Sequence, residues 1–414
     1  MKITIATAVY YPQINGVAVF SHNLACGLVS RGHEVMVICP SQDGHNRVEM
    51  QDGVKICYLR SVDVKVYPDQ IHDVPEKKKV LGMKMPRVMY RHGLRASVFP
   101  ASEVRKLLDD FRPDVVHVQV SDPIGLSVVS YARKHGIPVV TTEHNQPEVF
   151  TDPLHMPRFI KKPVNSMLSS YFRNRQSKSD FVTMPTELAI RKLIGNGEQF
   201  GVPVAAVSNG VDLSNFKTGK VSSSIYEKYG IPRDVPIVLY IGRVDPEKKV
   251  GLVIEAFLSV REKVPDAEMV IVGDGVDRLQ LEKKYQDVSC VHFLGRVLPP
   301  DLYELYRVGT VFATASEIET QGIVLIEAAA SGLPLIAVDA GAVAEVCQDS
   351  VNGFLCTPGS VTELAEAMRR ILTDDKLRAE FSKKSVEIAH EHDFEVTLDR
   401  FINIYNRVIE KKKA

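Results

Sequence analysis

Tryptophan is absent from the 414-residue chain, and its six cysteines (Cys26, Cys39, Cys57, Cys290, Cys347 and Cys356) form no C-x-x-C pair and no recognisable metal-ligand spacing. That pattern excludes a disulfide-stapled fold and a zinc ribbon, and it suits small buried thiols in apolar surroundings. No run approaches the roughly 18 apolar residues that a membrane span requires. The opening, MKITIATAVYYP, has no apolar stretch ahead of a cleavage site. The expected location is therefore the cytoplasm, with any membrane contact peripheral. Asp-x-Asp is missing too, and with it the simplest acidic motif for holding a catalytic divalent cation. Net charge is absent as well: 51 Lys and Arg balance 51 Asp and Glu, which argues against a general nucleic-acid binder.

What is present is an ordinary globular composition, 45% hydrophobic and 25% charged, in a chain long enough for two cores. The zero charge is an average of two unlike parts. Residues 1–207 hold 26 basic against 19 acidic residues, and the remainder holds 25 against 32. Short apolar runs alternate with helical patterns throughout. ITIATAV (3–9), EVMVICP (34–40), DVVHVQ (114–119) and PVVTTEH (138–144) read as strands of the first part, with helices near 101–110 and 125–135. PIVLYIG (236–242), AEMVIVG (267–273), CVHFLG (290–295), VGTVFA (308–313) and LPLIAV (333–338) read as strands of the second, with helices near 249–264 and 277–286. Continuous apolar strands alternating with helices predict parallel sheets covered on both faces. The expectation is an α/β chain of two doubly wound Rossmann-like domains, 1–207 and 208–392. A closing helix, 393–414, is expected to pack back on the first domain. Ligands of such sheets bind beyond the carboxyl ends of the strands, so the loops there are the places to search.

SEIETQGIVLIEAAASGLPLIAV (316–338) is the most informative segment. Ile323 to Ala330 is apolar except at Glu327, and a carboxylate in a buried helix needs a hydrogen-bonding partner. A sugar diol offers two O–H donors. The amides of Gly322, Ile323 and Val324 open the helix and form an anion site with its dipole. Glu319 adds a second carboxylate. The competing reading has Glu327 capping a neighbouring backbone and Glu319 solvated. IGRVDPEKKV (241–250) follows a strand directly, so Arg243 and Lys248 can neutralise a diphosphate there. Gly16, between a strand and a helix, would let a phosphate approach the backbone, unless it marks a plain tight turn.

These segments resemble the family 4 glycosyltransferases, retaining enzymes of GT-B fold that use nucleotide sugars. Glu319 and Glu327 match the family's paired glutamates, Gly242, Arg243 and Lys248 match its Gly-Arg-x-x-x-x-Lys element, and Asn209 lies in SNGVD (208–212), similar to its interdomain stretch. Asn15 departs from the second glycine often found before Gly16. The resemblance implies donor contacts from Gly16, Asn209, Arg243, Lys248, Glu319, Gly322, Ile323, Val324 and Glu327 across an interdomain cleft. It implies catalytic roles for His144, Glu319, Arg243 and Lys248, and a reaction with no cofactor and no required metal. His144 would hydrogen-bond a sugar hydroxyl. His22, His33, His117 and His135 read as structural histidines.

The basic excess of the first part is concentrated. Lys77, Lys78, Lys79, Lys84, Arg87, Arg91 and Arg95 lie among apolar residues, with the three arginines spaced for one helical stripe, and Lys161 and Lys162 belong to a second basic stretch, 153–179. Such segments suit an anionic membrane surface, or else a solvated face over ordinary core. Glu148 is a candidate acceptor contact. The string SEIETQGIVLIEA looks like that of the diacylglycerol glucosyltransferases and related glycolipid synthases. The expected function is transfer of glucose from UDP-glucose to a lipid acceptor, 1,2-diacylglycerol, at the cytoplasmic membrane face. The alternatives are another donor (GDP-mannose) or acceptor (phosphatidylinositol, a polysaccharide precursor or a soluble sugar), and a non-catalytic nucleotide-sugar binding or epimerase-like protein.

Overall fold

The computed structural model describes residues 1–11, 16–63, 78–80, 83–85, 95–119, 122–144, 157–194, 201–219, 221–319 and 321–413. The chain divides into two compact units, Met1–Asn209 with Thr397–Ala414, and Gly210–Val396.

In the first unit the strands are β1 (Lys2–Ala6), β2 (Glu34–Pro40), β3 (Arg47–Gln51), β4 (Val54–Leu59), β5 (Ser61–Asp63), β6 (Lys78–Val80), β7 (Met83–Met85), β8 (Arg95–Ser97), β9 (Val115–Val118), β10 (Val139–Thr142), β11 (Phe181–Met184) and β12 (Val204–Ala206). The main sheet has the order β12-β11-β10-β9-β1-β2-β4-β3. Its pairs are parallel except β3 against β4, an antiparallel edge hairpin that the expectation of a wholly parallel sheet lacked. Val35, Val37 and Cys39 of β2 join one core, while Met36 and Ile38 join the core on the other face. Burial of both faces explains why the strand reads as an unbroken apolar run. The closing helix, Phe394–Lys413, contributes Leu398, Phe401, Tyr405 and Val408 to the first of these cores.

The second unit holds β13 (Ile237–Ile241), β14 (Glu268–Val272), β15 (Val291–Gly295), β16 (Val311–Ala313), β17 (Leu335–Val338) and β18 (Gly353–Cys356), in the order β15-β14-β13-β16-β17-β18. Every pair is parallel. Strand order reverses between β1 and β9 in the first sheet and between β13 and β16 in the second. Those switch points open a crevice at the carboxyl edge, because the chain leaves neighbouring strands in opposite directions.

The basic stripe expected of Arg87, Arg91 and Arg95 does not form as one helix. Arg95 stands in β8, antiparallel to β5, and Lys78, Lys79 and Lys84 lie on the antiparallel pair β6–β7. Gly82, Pro86 and Gly93 punctuate this stretch, and each disfavours a continuous helix. Lys77, Arg87, Arg91 and Glu148 fall outside the described residues.

Candidate active site

At the switch point of the second unit the loops leaving β13 and β16 emerge side by side, since those strands are parallel neighbours. The first loop turns sharply at Gly242, whose φ of 155° favours glycine. It is then pinned from below by the loop after β14. A Cβ on Gly273 would fall 1.8 Å from the carbonyl oxygen of Gly242, and one on Gly275 would fall 1.9 Å from that of Val244, so only glycines permit this approach. Asp245, buried, accepts from the Val276 amide at 2.9 Å and is ion-paired with Arg243. Glu247 holds the other arm of the Arg243 guanidinium at 2.7 Å. Burial works against that charge, but Glu247 and Asp245 outweigh it and raise the Arg243 pKa.

The second loop carries Glu319, and Lys248 reaches across to it. Its Nζ donates to Glu319 Oε1 at 2.6 Å and to Ser316 Oγ at 3.3 Å, with both charged side chains largely buried. Lys249 pairs with Glu317 beside them. Glycine again fixes the geometry: a Cβ on Gly341, after β17, would sit 2.8 Å from the Glu319 carbonyl oxygen, and the Ala342 amide donates to that oxygen at 3.1 Å. The cations expected to neutralise a diphosphate are thus already engaged by carboxylates. A bound diphosphate must share their N–H donors, and the five of an arginine and three of a lysine allow this.

Gly322 follows in the left-handed region (φ 76°) and opens the helix Ile323–Ala330 with no side-chain cap. Its carbonyl accepts from Leu325 at 2.8 Å, while the amides of Ile323 and Val324 occupy the first turn, where no intrahelical acceptor exists. An uncapped start keeps those donors for a ligand. One turn on, Glu327 is half-buried, and the Tyr306 hydroxyl donates to its Oε2 at 2.5 Å. Burial pushes this carboxyl up to about 7, against the pull of the Tyr306 hydrogen bond. The neighbouring helix Asp301–Val308 supplies one donor, and at neutral pH the carboxyl is poised between its two protonation states.

In the first unit Gly16 begins the helix Gly16–Ser30 after the switch-point strand β1, and a Cβ there would meet nothing within 4 Å. Among the described residues, then, no atom demands glycine here, and the space beside it is open to a ligand's approach. His144, buried two residues beyond β10, donates from Nε2 to Gln119 Oε1 at 2.7 Å. Gln119 also lies 3.3 Å from His117, whose ring nitrogens bond Thr142 and Tyr405, each at 2.6 Å. Burial pulls His144 down to about 4, so it is neutral at pH 7 and Nδ1 is left as an acceptor. Asn209 is buried at the end of the same unit. Gln119, His117, Asp245, Ser316 and Tyr306 were not singled out as site residues. Asp245 had a signal, two residues from Arg243; Tyr306 had none, because helices distant in sequence bring it to Glu327.

Arg95 donates to Ser61 Oγ at 2.8 Å, which makes it a bracing residue between β5 and β8. Lys161 is half-buried and Lys162 exposed on the helix Arg158–Gln176, beside exposed Phe159, Met167 and Tyr171. Among the described residues no helix is long and apolar enough to cross a membrane.

Comparison with known proteins places this geometry. Residues 14–215 match the family described as Glycosyltransferase Family 4, and residues 222–387 match Glycosyl transferases group 1. The sulfoquinovosyl transferase SQD2 of Arabidopsis thaliana is 26% identical over 84% of this chain and 68% of its own. An alpha-monoglucosyldiacylglycerol synthase of Acholeplasma laidlawii is 28% identical, covering 81% of this chain and 80% of its own. A GDP-mannose-dependent alpha-mannosyltransferase of Mycobacterium tuberculosis is 27% identical over 93% of this chain and 92% of its own. Among solved structures, a sucrose-phosphate synthase from Thermosynechococcus elongatus superposes with a TM-score of 0.73 at 18% identity, over 99% of both chains. Anabaena HepE in complex with UDP-glucose does so with a TM-score of 0.68 at 18% identity, over 98% of this chain and 100% of that one. The chain belongs to the family 4 glycosyltransferases, is built on the GT-B fold, and is a hexosyltransferase that uses a nucleotide sugar.

Proposed function

We propose that this enzyme moves glucose from UDP-glucose to 1,2-diacylglycerol at the inner face of the cell membrane, with retention at the anomeric carbon. Cleaving a glycosyl–phosphate bond builds positive charge on the sugar and negative charge on the departing diphosphate. Donors aimed at that diphosphate favour the transition state over the ground state. Arg243, Lys248 and the amides at Gly322, Ile323 and Val324 have this part. Glu327 accepts from the ribose through the oxygen that Tyr306 leaves, and Glu319 orients Lys248 and the donor hexose. His144 accepts from a sugar hydroxyl through Nδ1, as a neutral group. The departing phosphate takes the proton of the acceptor hydroxyl, so this reading needs no metal, and a chelator leaves the rate unchanged.

The observation that carries the lipid acceptor is the face of the helix Arg158–Gln176. Phe159, Met167 and Tyr171 are 76%, 64% and 47% exposed along a stretch with Lys161 and Lys162 and no acidic residue. Apolar side chains on a cationic helix gain from entering an anionic bilayer surface. The Acholeplasma relative, named for a glucosylated diacylglycerol, supports the same acceptor class. HepE, captured with UDP-glucose, indicates that this architecture accommodates that donor. A second reading, mannosyl transfer from GDP-mannose to a lipid such as phosphatidylinositol, is favoured by the mannosyltransferase, whose match spans more of the chain.

The test has two arms. Calorimetric titration with UDP and with GDP separates the donors, and tighter binding of GDP overturns the first reading. Cosedimentation with vesicles containing phosphatidylglycerol, followed by assay for glucosyl-diacylglycerol, tests the acceptor. Absence of vesicle binding at low salt discards the lipid acceptor.

A further inference from the structure

We propose that the second unit carries a binding site for a small phosphomonoester, a sugar phosphate in chemical class, at the end of its sheet opposite the donor loops. A cavity of about 430 Å³ opens there, within the size range of small-molecule sites. Among its lining residues Thr310 stands just before β16 and Pro334 just before β17, so the cavity lies at the amino edge of the sheet. The loops that bear Arg243, Lys248 and Glu319 leave the carboxyl edge. No lining residue takes part in the donor or acceptor contacts assigned above.

Arg307 carries the argument. It stands in the last turn of the helix Asp301–Val308, and its side chain is only 23% exposed. Among the described residues its guanidinium donates no hydrogen bond, and Nε is buried without an acceptor. Its ion-pair partner, Glu304 Oε2, is 3.6 Å away, beyond hydrogen-bond reach, and already accepts from the Ser222 amide at 2.9 Å. Holding a largely buried cation with idle donors costs free energy unless an acceptor meets them. Phosphate oxygens in the cavity are such acceptors, and the planar guanidinium offers them parallel N–H groups.

A second wall is formed by the first two turns of the helix Asp375–His390. Asp375, Arg378 and Ser382 recur there at i, i+3 and i+7 and so share the face that lines the cavity. Arg378 donates to the Ile371 carbonyl at 3.2 Å and to Asp375 at 2.6 Å, which leaves the rest of its five donors for a ligand. The Ser382 hydroxyl has no partner among the described residues. The positive end of the helix dipole lies at the same wall and favours an anion. Asp375 does not cancel this, because its side chain is 87% exposed and water screens its charge. The carbonyls that end the helix Ile323–Ala330 beside the cavity are occupied by the amides of Ser331, Gly332 and Leu333. The cavity is larger than one phosphate needs, and Asp375 and Ser382 can hydrogen-bond hydroxyl groups. Two guanidinium groups with hydroxyl-binding neighbours fit a phosphorylated polyol better than a bare anion.

Full-length protein saturated with UDP, and in parallel with GDP, is titrated calorimetrically with glucose 6-phosphate, inorganic phosphate and glucose. The nucleotide occupies the diphosphate-binding loops, so whatever binds in its presence binds elsewhere. The expected result is one glucose 6-phosphate per chain, weaker binding of phosphate and none of glucose. Arg307→Met keeps the packing of the stem, removes the cation and should weaken glucose 6-phosphate binding by roughly 10- to 100-fold. Arg378→Gln should act alike, and Ser382→Ala should weaken binding about fivefold. Circular dichroism melts of the ligand-free variants separate loss of fold from loss of binding, and Ser382→Ala carries the test should an arginine variant not fold. Absence of binding to the nucleotide-saturated wild type overturns the site. Equal affinity in the wild type and the folded variants does the same, as does glucose binding as tightly as glucose 6-phosphate.

Discussion

The candidate-site clusters of the two units differ in formal charge. In the first, the polar cluster around His144 is neutral: Gln119, His117, Thr142 and Tyr405 are linked by hydrogen bonds, and burial keeps both imidazoles uncharged. In the second, the loops after β13 and β16 are dense in formal charge, with Arg243, Lys248 and Lys249 facing Asp245, Glu247, Glu317 and Glu319. A neutral site reads hydroxyls by direction. A charged one can exchange a carboxylate partner for a phosphate at little net loss of hydrogen bonds. Lesions in the two units should therefore fail differently.

The largest effect is expected in the charged unit. Lys248→Ala removes a donor to the departing diphosphate and leaves Glu319 with a partly buried, unpaired charge. Initial rates of UDP release should show kcat/KM falling about 10²- to 10³-fold. Retention of wild-type kcat/KM would sever this ion pair from the chemistry. The acidity of Glu327 gives the next effect. A diol binds the ionised carboxylate, which burial places at about 7, so UDP affinity should rise roughly tenfold between pH 6 and 7.5. In Glu327→Gln that rise should vanish, and in Tyr306→Phe it should move to higher pH, because the lowering hydrogen bond is gone. The stability effect has the opposite sense. A folded-state pKa above the ordinary 4.5 favours the folded protein below that pH, and the contribution is lost as pH rises through 7.

His144→Ala should lower turnover by about tenfold, the worth of one hydrogen bond with its partner stranded, while UDP affinity measured by calorimetry stays unchanged. Equal losses of affinity in His144→Ala and Lys248→Ala would erase the contrast between the units. Smallest is Lys162→Ala, which should weaken binding to phosphatidylglycerol vesicles about fivefold, one cation's share of roughly 1 kcal/mol, and only at low salt.

Much of this organisation was legible in the chain. β2 occupies the very residues 34–40 that read as an apolar run, because both of its faces are buried and no alternation was needed to recognise it. The helix Ile323–Ala330 was visible for the same reason. Of the three arginines spaced for one stripe, only Arg95 is described, and it stands in a strand, because pairing with Ser61–Asp63 is a long-range choice that i, i+4 spacing cannot reveal.

By itself the sequence determined most of the buried strands and which loops carry charge, since periodicity and glycine placement act locally; the short strands Val54–Leu59, Phe181–Met184 and Gly353–Cys356 escaped it. Tertiary structure alone decided who partners whom. Lys248 meets Glu319 because β13 and β16 are neighbours, and Tyr306 reaches Glu327 because two helices pack on one face of the second sheet. Such contacts depend on strand order and helix packing, which follow from the free energy of the whole core and leave no mark at either residue.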